Sequence, residues 1–147
     1  MQSMFSDITK IIPHRPPMVM IDQYTRISET KGRATKHFSK QDYGCHDENV
    51  LQGILIECMA QTVAAHHGYS KSDNKNNTPA MGMLVTIDRF DFFHPVPEDE
   101  SITITVNETD KIGPFHLIQG EIFCGEKIMA QGRIKIFNSP DDHGREQ

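Results

Sequence analysis

Val50-Leu51-Gln52-Gly53-Ile54-Leu55-Ile56-Glu57-Cys58-Met59-Ala60-Gln61-Thr62-Val63-Ala64-Ala65-His66-His67 is the stretch on which the reading of this 147-residue chain turns. It predicts a helix over Val50–His67, with Asp47 or Asn49 capping its start. Gly68 stands where a left-handed terminal residue is wanted. Its apolar residues surround the axis instead of forming one stripe, and a helix of that kind is usually buried.

Working outward, strand-like segments flank the helix. Met18–Ile27 and Arg33–Phe38 precede it, and Met81–Phe93, Ser101–Glu108, Phe115–Cys124 and Lys127–Phe137 follow. Ile102, Ile104 and Val106 alternate with Thr103, Thr105 and Asn107, the period of a half-buried strand. Gly125-Glu126 between two apolar runs reads as a hairpin turn. One long buried helix among long strands implies an α+β fold, with an antiparallel sheet wrapped around the helix. The polar run Ser70–Thr78 reads as a loop. Residues 1–138 are expected to form a single domain, and Ser139–Gln147 a polar tail.

Composition narrows the function classes. Hydrophobic residues make up 37% and charged residues 24%, as in an ordinary soluble domain. The net charge of −5, without a lysine or arginine cluster longer than a pair, argues against nucleic acid as a partner. Three dispersed cysteines (Cys45, Cys58, Cys124) form no Cys-x-x-Cys pair, so neither a metal knuckle nor a disulfide framework is expected. The apolar run in Met1–Ile12 is short and interrupted by Asp7, and no stretch reaches membrane-spanning length. A cytoplasmic protein is the expectation.

Glu57 is the anomaly within the helix. Apolar residues occupy the positions around it except Gly53, one turn back, and Gln61, one turn on. A carboxyl group there loses water contacts, which favours its protonated form unless a partner compensates, and it can then serve as a general acid. The competing reading is a structural acid bonded to Gln61 or to a partner chain. Gly53 costs about 1 kcal/mol relative to alanine in a helix interior. Either the free amides of the first turn hold an oxyanion there, or the helix packs tightly on a sheet.

Three motifs then resemble one family. Ile54-Leu55-Ile56-Glu57-Cys58-Met59-Ala60-Gln61 resembles the Leu-Ile-x-Glu-Ala-Met-Ala-Gln stretch of the 3-hydroxyacyl-acyl-carrier-protein dehydratases. Ile12-Pro13-His14-Arg15-Pro16-Pro17 is similar to their Leu-Pro-His-Arg-x-Pro opening. Ile87–Asp99 is similar to their strand–Arg/Lys–Pro–Val–x–Pro–Gly–Asp passage. The resemblance implies a hotdog fold and a dimer with active sites at the subunit interface. It implies dehydration of 3-hydroxyacyl thioesters borne by acyl carrier protein or coenzyme A, in fatty-acid or polyene-type synthesis. A histidine of one subunit takes the α-proton, and the glutamate of the other protonates the departing hydroxyl. Neither metal nor organic cofactor is implied.

The family's His-Phe-Pro loop is absent. Counting back from Glu57, its place holds Tyr43-Gly44-Cys45, and the family's Pro-Gly pair becomes Gln52-Gly53. The pattern resembles the divergent dehydratase-like subunits of aryl polyene pathways. Glu57 carries over as general acid, while Gly53, Ile54 and Gln61 are the positions expected to meet substrate. The base is open among His14, held by a proline-rich segment, His46, in the loop before the helix, and His37, at a strand end. His66 and His67 are read as helix-capping cations, His94 as structural, and His116 has no assigned part. Two alternatives accompany dehydration: a thioester hydrolase in which Glu57 activates water, and a non-catalytic subunit of a hotdog heterodimer.

Overall fold

The computed structural model describes residues 4–40, 42–72 and 82–138. Strands β1 (Met4–Phe5), β2 (Gln23–Arg26) and β3 (Lys31–Phe38) lead into a small hairpin of β4 (Cys45–His46) and β5 (Asn49–Val50). Helix α1 (Gln52–Ser72) follows, then β6 (Gly82–Phe92), β7 (Glu100–Ile112), β8 (Phe115–Cys124) and β9 (Lys127–Asn138). Seven strands form one antiparallel sheet in the order β1-β2-β3-β7-β8-β9-β6.

Alternation sets the inner face of that sheet. Ile102, Ile104 and Val106 of β7 are buried, as are Ile118 and Ile122 of β8. Helix α1 lies on this face, in contact with β2, β3, β6, β7 and β8. Leu55, Cys58, Met59 and Val63 join the strand residues in one core. A Cβ on Gly120 of β8 would stand 2.5 Å from Met59 Sδ, so glycine there lets helix and sheet approach. The N-terminal segment contributes Ile8, Ile11, Ile12, Met20 and Ile21 to the same core. Sheet and segment together explain why the helix is apolar all round. The expected hotdog arrangement, an antiparallel sheet around one buried helix, is the one observed.

Several boundaries differ from expectation, each for a physical reason. Gly68 does not end the helix, which runs to Ser72. A Cβ on Gly68 would fall 1.8 Å from the Ile11 carbonyl oxygen, so this glycine serves close packing and not termination. Ser70–Ser72, expected as the start of a loop, are therefore helical; 73–78 and the expected tail 139–147 lie outside the described residues. Asp47 and Asn49 do not cap α1. Asp47 and Glu48 both have positive φ (51° and 68°) and form the turn between β4 and β5. The Val50 N–H donates to the Val96 carbonyl and the Leu51 N–H to that of Gly44, which delays the helix to Gln52. Strand β2 is shorter than Met18–Ile27 because the Met18 carbonyl and the Met20 N–H are bonded to a helix side chain. Gly125, at φ 63°, makes the expected turn between β8 and β9.

Candidate active site

Gly53, Glu57 and Gln61 are spaced four apart, which stacks them along one face of α1. Gly53 is exposed, and nothing lies within 4 Å of where its Cβ would be. Tight packing thus does not explain this glycine within the chain. Ile54 donates its N–H to the Leu51 carbonyl, and its side chain lies where a Cβ on Gly44 would collide. The Gln52 and Gly53 amides stand ahead of it in the first turn, where a helix has no acceptors for them.

Gln61 was expected to meet substrate but is completely buried. Its Nε2 donates to the Met18 carbonyl at 2.7 Å and to Glu57 Oε2 at 2.8 Å, while its Oε1 accepts the Met20 N–H at 2.7 Å. It is a positioning group that ties the N-terminal segment to α1 and orients the Glu57 carboxylate. The pattern of apolar residues could not foretell this, because the segment reaches Gln61 from over forty residues away in sequence.

The same segment delivers His14. Its Nε2 lies 3.5 Å from Glu57 Oε2, and the two side chains are 27% and 33% exposed. Arg15 fixes the turn by donating to the carbonyls of Ile12 and His14, and the following Pro16–Pro17 bond is cis. Glu57 therefore has the expected Gln61 amide as a donor and, beyond the expectation, an imidazole beside it and a third of its side chain exposed. Both members of the pair belong to one chain, whereas the resemblance implied a histidine and a glutamate from different subunits.

The other candidate histidines are engaged elsewhere. His46 projects into solvent and pairs with Asp47. His37 hydrogen-bonds Ser101 Oγ through Nδ1 and lies 4.0 Å from Asp99. The place of the missing His-Phe-Pro loop is filled by Tyr43 and Gly44, the latter with φ of 102°. Beside the helix start, a groove of about 310 Å³ is lined by His46, Leu51, Gln52, Phe92, Phe93 and His94 among others. His66 and His67 are not terminal capping cations. Burial pushes both imidazoles below their usual range, His67 to about 4, so they are neutral at pH 7.

The sequence model of the ApeP-like family, described as ApeP dehydratase, matches residues 6–145. The chain belongs to the ApeP-like dehydratase family. The 3-hydroxyacyl-[acyl-carrier-protein] dehydratase FabZ of Macrococcus caseolyticus is 32% identical over 139 residues, covering 90% of this chain and 92% of FabZ. FabZ of Natranaerobius thermophilus is 26% identical over 135 residues, covering 88% and 92%. A chain of the dehydratase heterocomplex ApeI:P from Xenorhabdus doucetiae superposes with a TM-score of 0.82 at 19% identity, covering 91% of each chain. As an ApeP-like dehydratase the chain is a lyase-type enzyme of the hotdog class. Among the described residues no helix is long and apolar enough to cross a membrane.

Proposed function

We propose that the chain removes water from 3-hydroxyacyl thioesters carried on acyl carrier protein, with Glu57 as general acid and His14 as general base. The observation that carries the assignment of roles is the 3.5 Å approach of His14 Nε2 to Glu57 Oε2. The α-hydrogen and the β-hydroxyl sit on neighbouring carbons. Two groups side by side can thus reach both from one face of the substrate. His14 takes the α-proton, the Cβ–O bond breaks, and Glu57 protonates the departing hydroxyl to give water and the 2-enoyl thioester. The open amides at Gln52 and Gly53 support the thioester oxygen as negative charge develops on it. After each turnover the proton gained by His14 passes directly to Glu57, which restores the starting pair. Gln61 keeps Glu57 aimed throughout.

A two-chain assembly and a cytoplasmic location accompany this reading. The dyad within one chain favours a homodimer. The likeness to a chain of a dehydratase heterocomplex favours a second arrangement, in which another hotdog chain is the partner. The test is turnover of a panel of 3-hydroxyacyl thioesters by the purified chain, followed by mass spectrometry. Loss of water is expected, and Glu57→Gln keeps the fold while lowering the rate at least about 100-fold, the usual worth of such a catalyst. Free acid as product would move the reading to thioester hydrolysis. Wild-type turnover by Glu57→Gln would remove Glu57 from the chemistry, and activity arising only with a second hotdog chain would make the heterodimer the working unit.

A further inference from the structure

Three ionisable side chains meet at the other end of the helix, on surfaces that face the core. Glu108 continues the inward series Ile102, Ile104, Val106 along β7, and His116 opens the inward series His116, Ile118, Gly120 along β8. Met59, Val63 and His67 share one face of α1, which carries His67 towards that end of the sheet. A bulge between Glu108 and Asp110 interrupts the β7–β8 register there, a device that re-aims side chains. Such positions ordinarily hold apolar residues, and burying three polar groups requires compensation.

His116 Nδ1 lies 2.6 Å from Glu108 Oε1, and His67 Nε2 lies 3.3 Å from the same oxygen. One donor atom from each residue falls within 4.8 Å of the others. The three side chains are 9%, 11% and 20% exposed for His116, His67 and Glu108. His67 Nδ1 is buried without a hydrogen-bond partner among the described residues. In the metal-free chain Nε2–H donates to the Glu108 carboxylate; on metal binding that proton moves to Nδ1 and the Nε2 lone pair faces the cluster.

We propose that His67, Glu108 and His116 form a binding site for a divalent transition metal of the zinc class, completed by water. Two imidazoles and one carboxylate suit such ions, whereas magnesium and calcium prefer oxygen donors throughout. Bonds of about 2.0–2.1 Å place tetrahedral donors about 3.4 Å apart. The spacing of His67 from Glu108 already fits, and His116 draws back by less than about 1 Å. The lack of an acceptor at His67 Nδ1 lowers affinity by about 10- to 100-fold relative to a site whose ligating histidines are all hydrogen-bonded on the far side. Ten residues separate His67 from Glu57, about 15 Å along the helix. The metal therefore staples α1 to β7 and β8 and takes no part in dehydration. The absence of metal expected from sequence rested on the dispersed cysteines and on the family resemblance, whereas these ligands are two histidines and a glutamate from three separate elements.

The experiment is calorimetric titration of the full, chelator-treated chain with zinc ion, paired with cobalt substitution read by visible absorption. One equivalent per chain is expected, with cobalt bands of a four- or five-coordinate nitrogen–oxygen site and a raised melting temperature. Glu108→Gln and His116→Gln each weaken binding at least about 10-fold, while dehydration of the thioester panel is unchanged. Circular dichroism checks folding, and whichever variant folds supplies the readout. No saturable binding at 100-fold excess would overturn the site and leave a hydrogen-bonded network. Equal binding by wild type and the folded variant would also overturn it, assigning the metal to exposed histidines such as His46 or His94.

Discussion

At the scale of single residues the candidate site depends on one buried amide. Gln61 spends its two donors and its acceptor on three groups at once: the Met18 carbonyl, the Glu57 carboxylate and the Met20 N–H. In Gln61→Ala the buried Met20 N–H loses its acceptor and the Met18 carbonyl its donor. An unsatisfied buried group costs about 1–3 kcal/mol and the part-buried Met18 carbonyl costs less, so a loss of roughly 2–4 kcal/mol is expected in chemical denaturation. The dehydration rate of the folded fraction should also fall, because Glu57 is no longer aimed. A variant as stable and as active as the parent would show that the segment holds its place by apolar burial alone. Sequence made Glu57 legible, since an acid stands out among apolar neighbours. His14 was legible only as one of several histidines. Gln61 could be seen beside Glu57, but its backbone partners could not, because a segment without regular structure places them. The cluster of His67, Glu108 and His116 was illegible for a related reason. It exists only once β7, β8 and α1 have found their mutual register.

At the scale of elements, the interior of α1 was plain in the sequence and its ends were not. The apolar belt marks a buried helix whatever surrounds it, but ends answer to tertiary partners. Gly68 shows the difference most directly. Alanine in place of glycine inside a helix ordinarily stabilises by about 1 kcal/mol. At Gly68 the added methyl would meet the Ile11 carbonyl oxygen at 1.8 Å, and a backbone atom cannot rotate aside. The sign is therefore expected to reverse, with Gly68→Ala losing about 1–3 kcal/mol to overpacking. For a chain of this size that lowers the melting temperature by several degrees. An unchanged or raised melting temperature would mean that the N-terminal segment yields freely to the helix. That outcome would also weaken the case that the segment holds His14 rigidly against Glu57.

At the scale of the whole molecule, the arrangement of His14 and Glu57 decides how an assembly can work. A sheet with free edges and a site beside the helix start is expected to pair with a second chain, giving roughly twice the 16.7 kDa chain mass in sedimentation. The resemblance to the acyl-carrier-protein dehydratases implied a site shared between subunits, yet the structure brings His14 and Glu57 together within one. Mixed dimers separate the two cases. Refolding His14→Ala chains together with Glu57→Gln chains yields about half mixed dimers if association is random. In a shared site each mixed dimer holds one site with both defects and one intact, so activity returns to about a quarter of wild type. With the dyad in one chain, every site carries a defect and activity stays at the level of the separate variants. That second outcome is the expected one, read as turnover of the thioester substrate after exchange has been verified by mass spectrometry of tagged chains. Recovery towards a quarter would instead show that the working histidine comes across the interface. The contact between His14 and Glu57 within one chain would then be a feature of the resting chain, with His14 acting on the Glu57 of its partner. If His14→Ala alone keeps wild-type turnover, His46, exposed on its hairpin beside the groove, is the residue to test next.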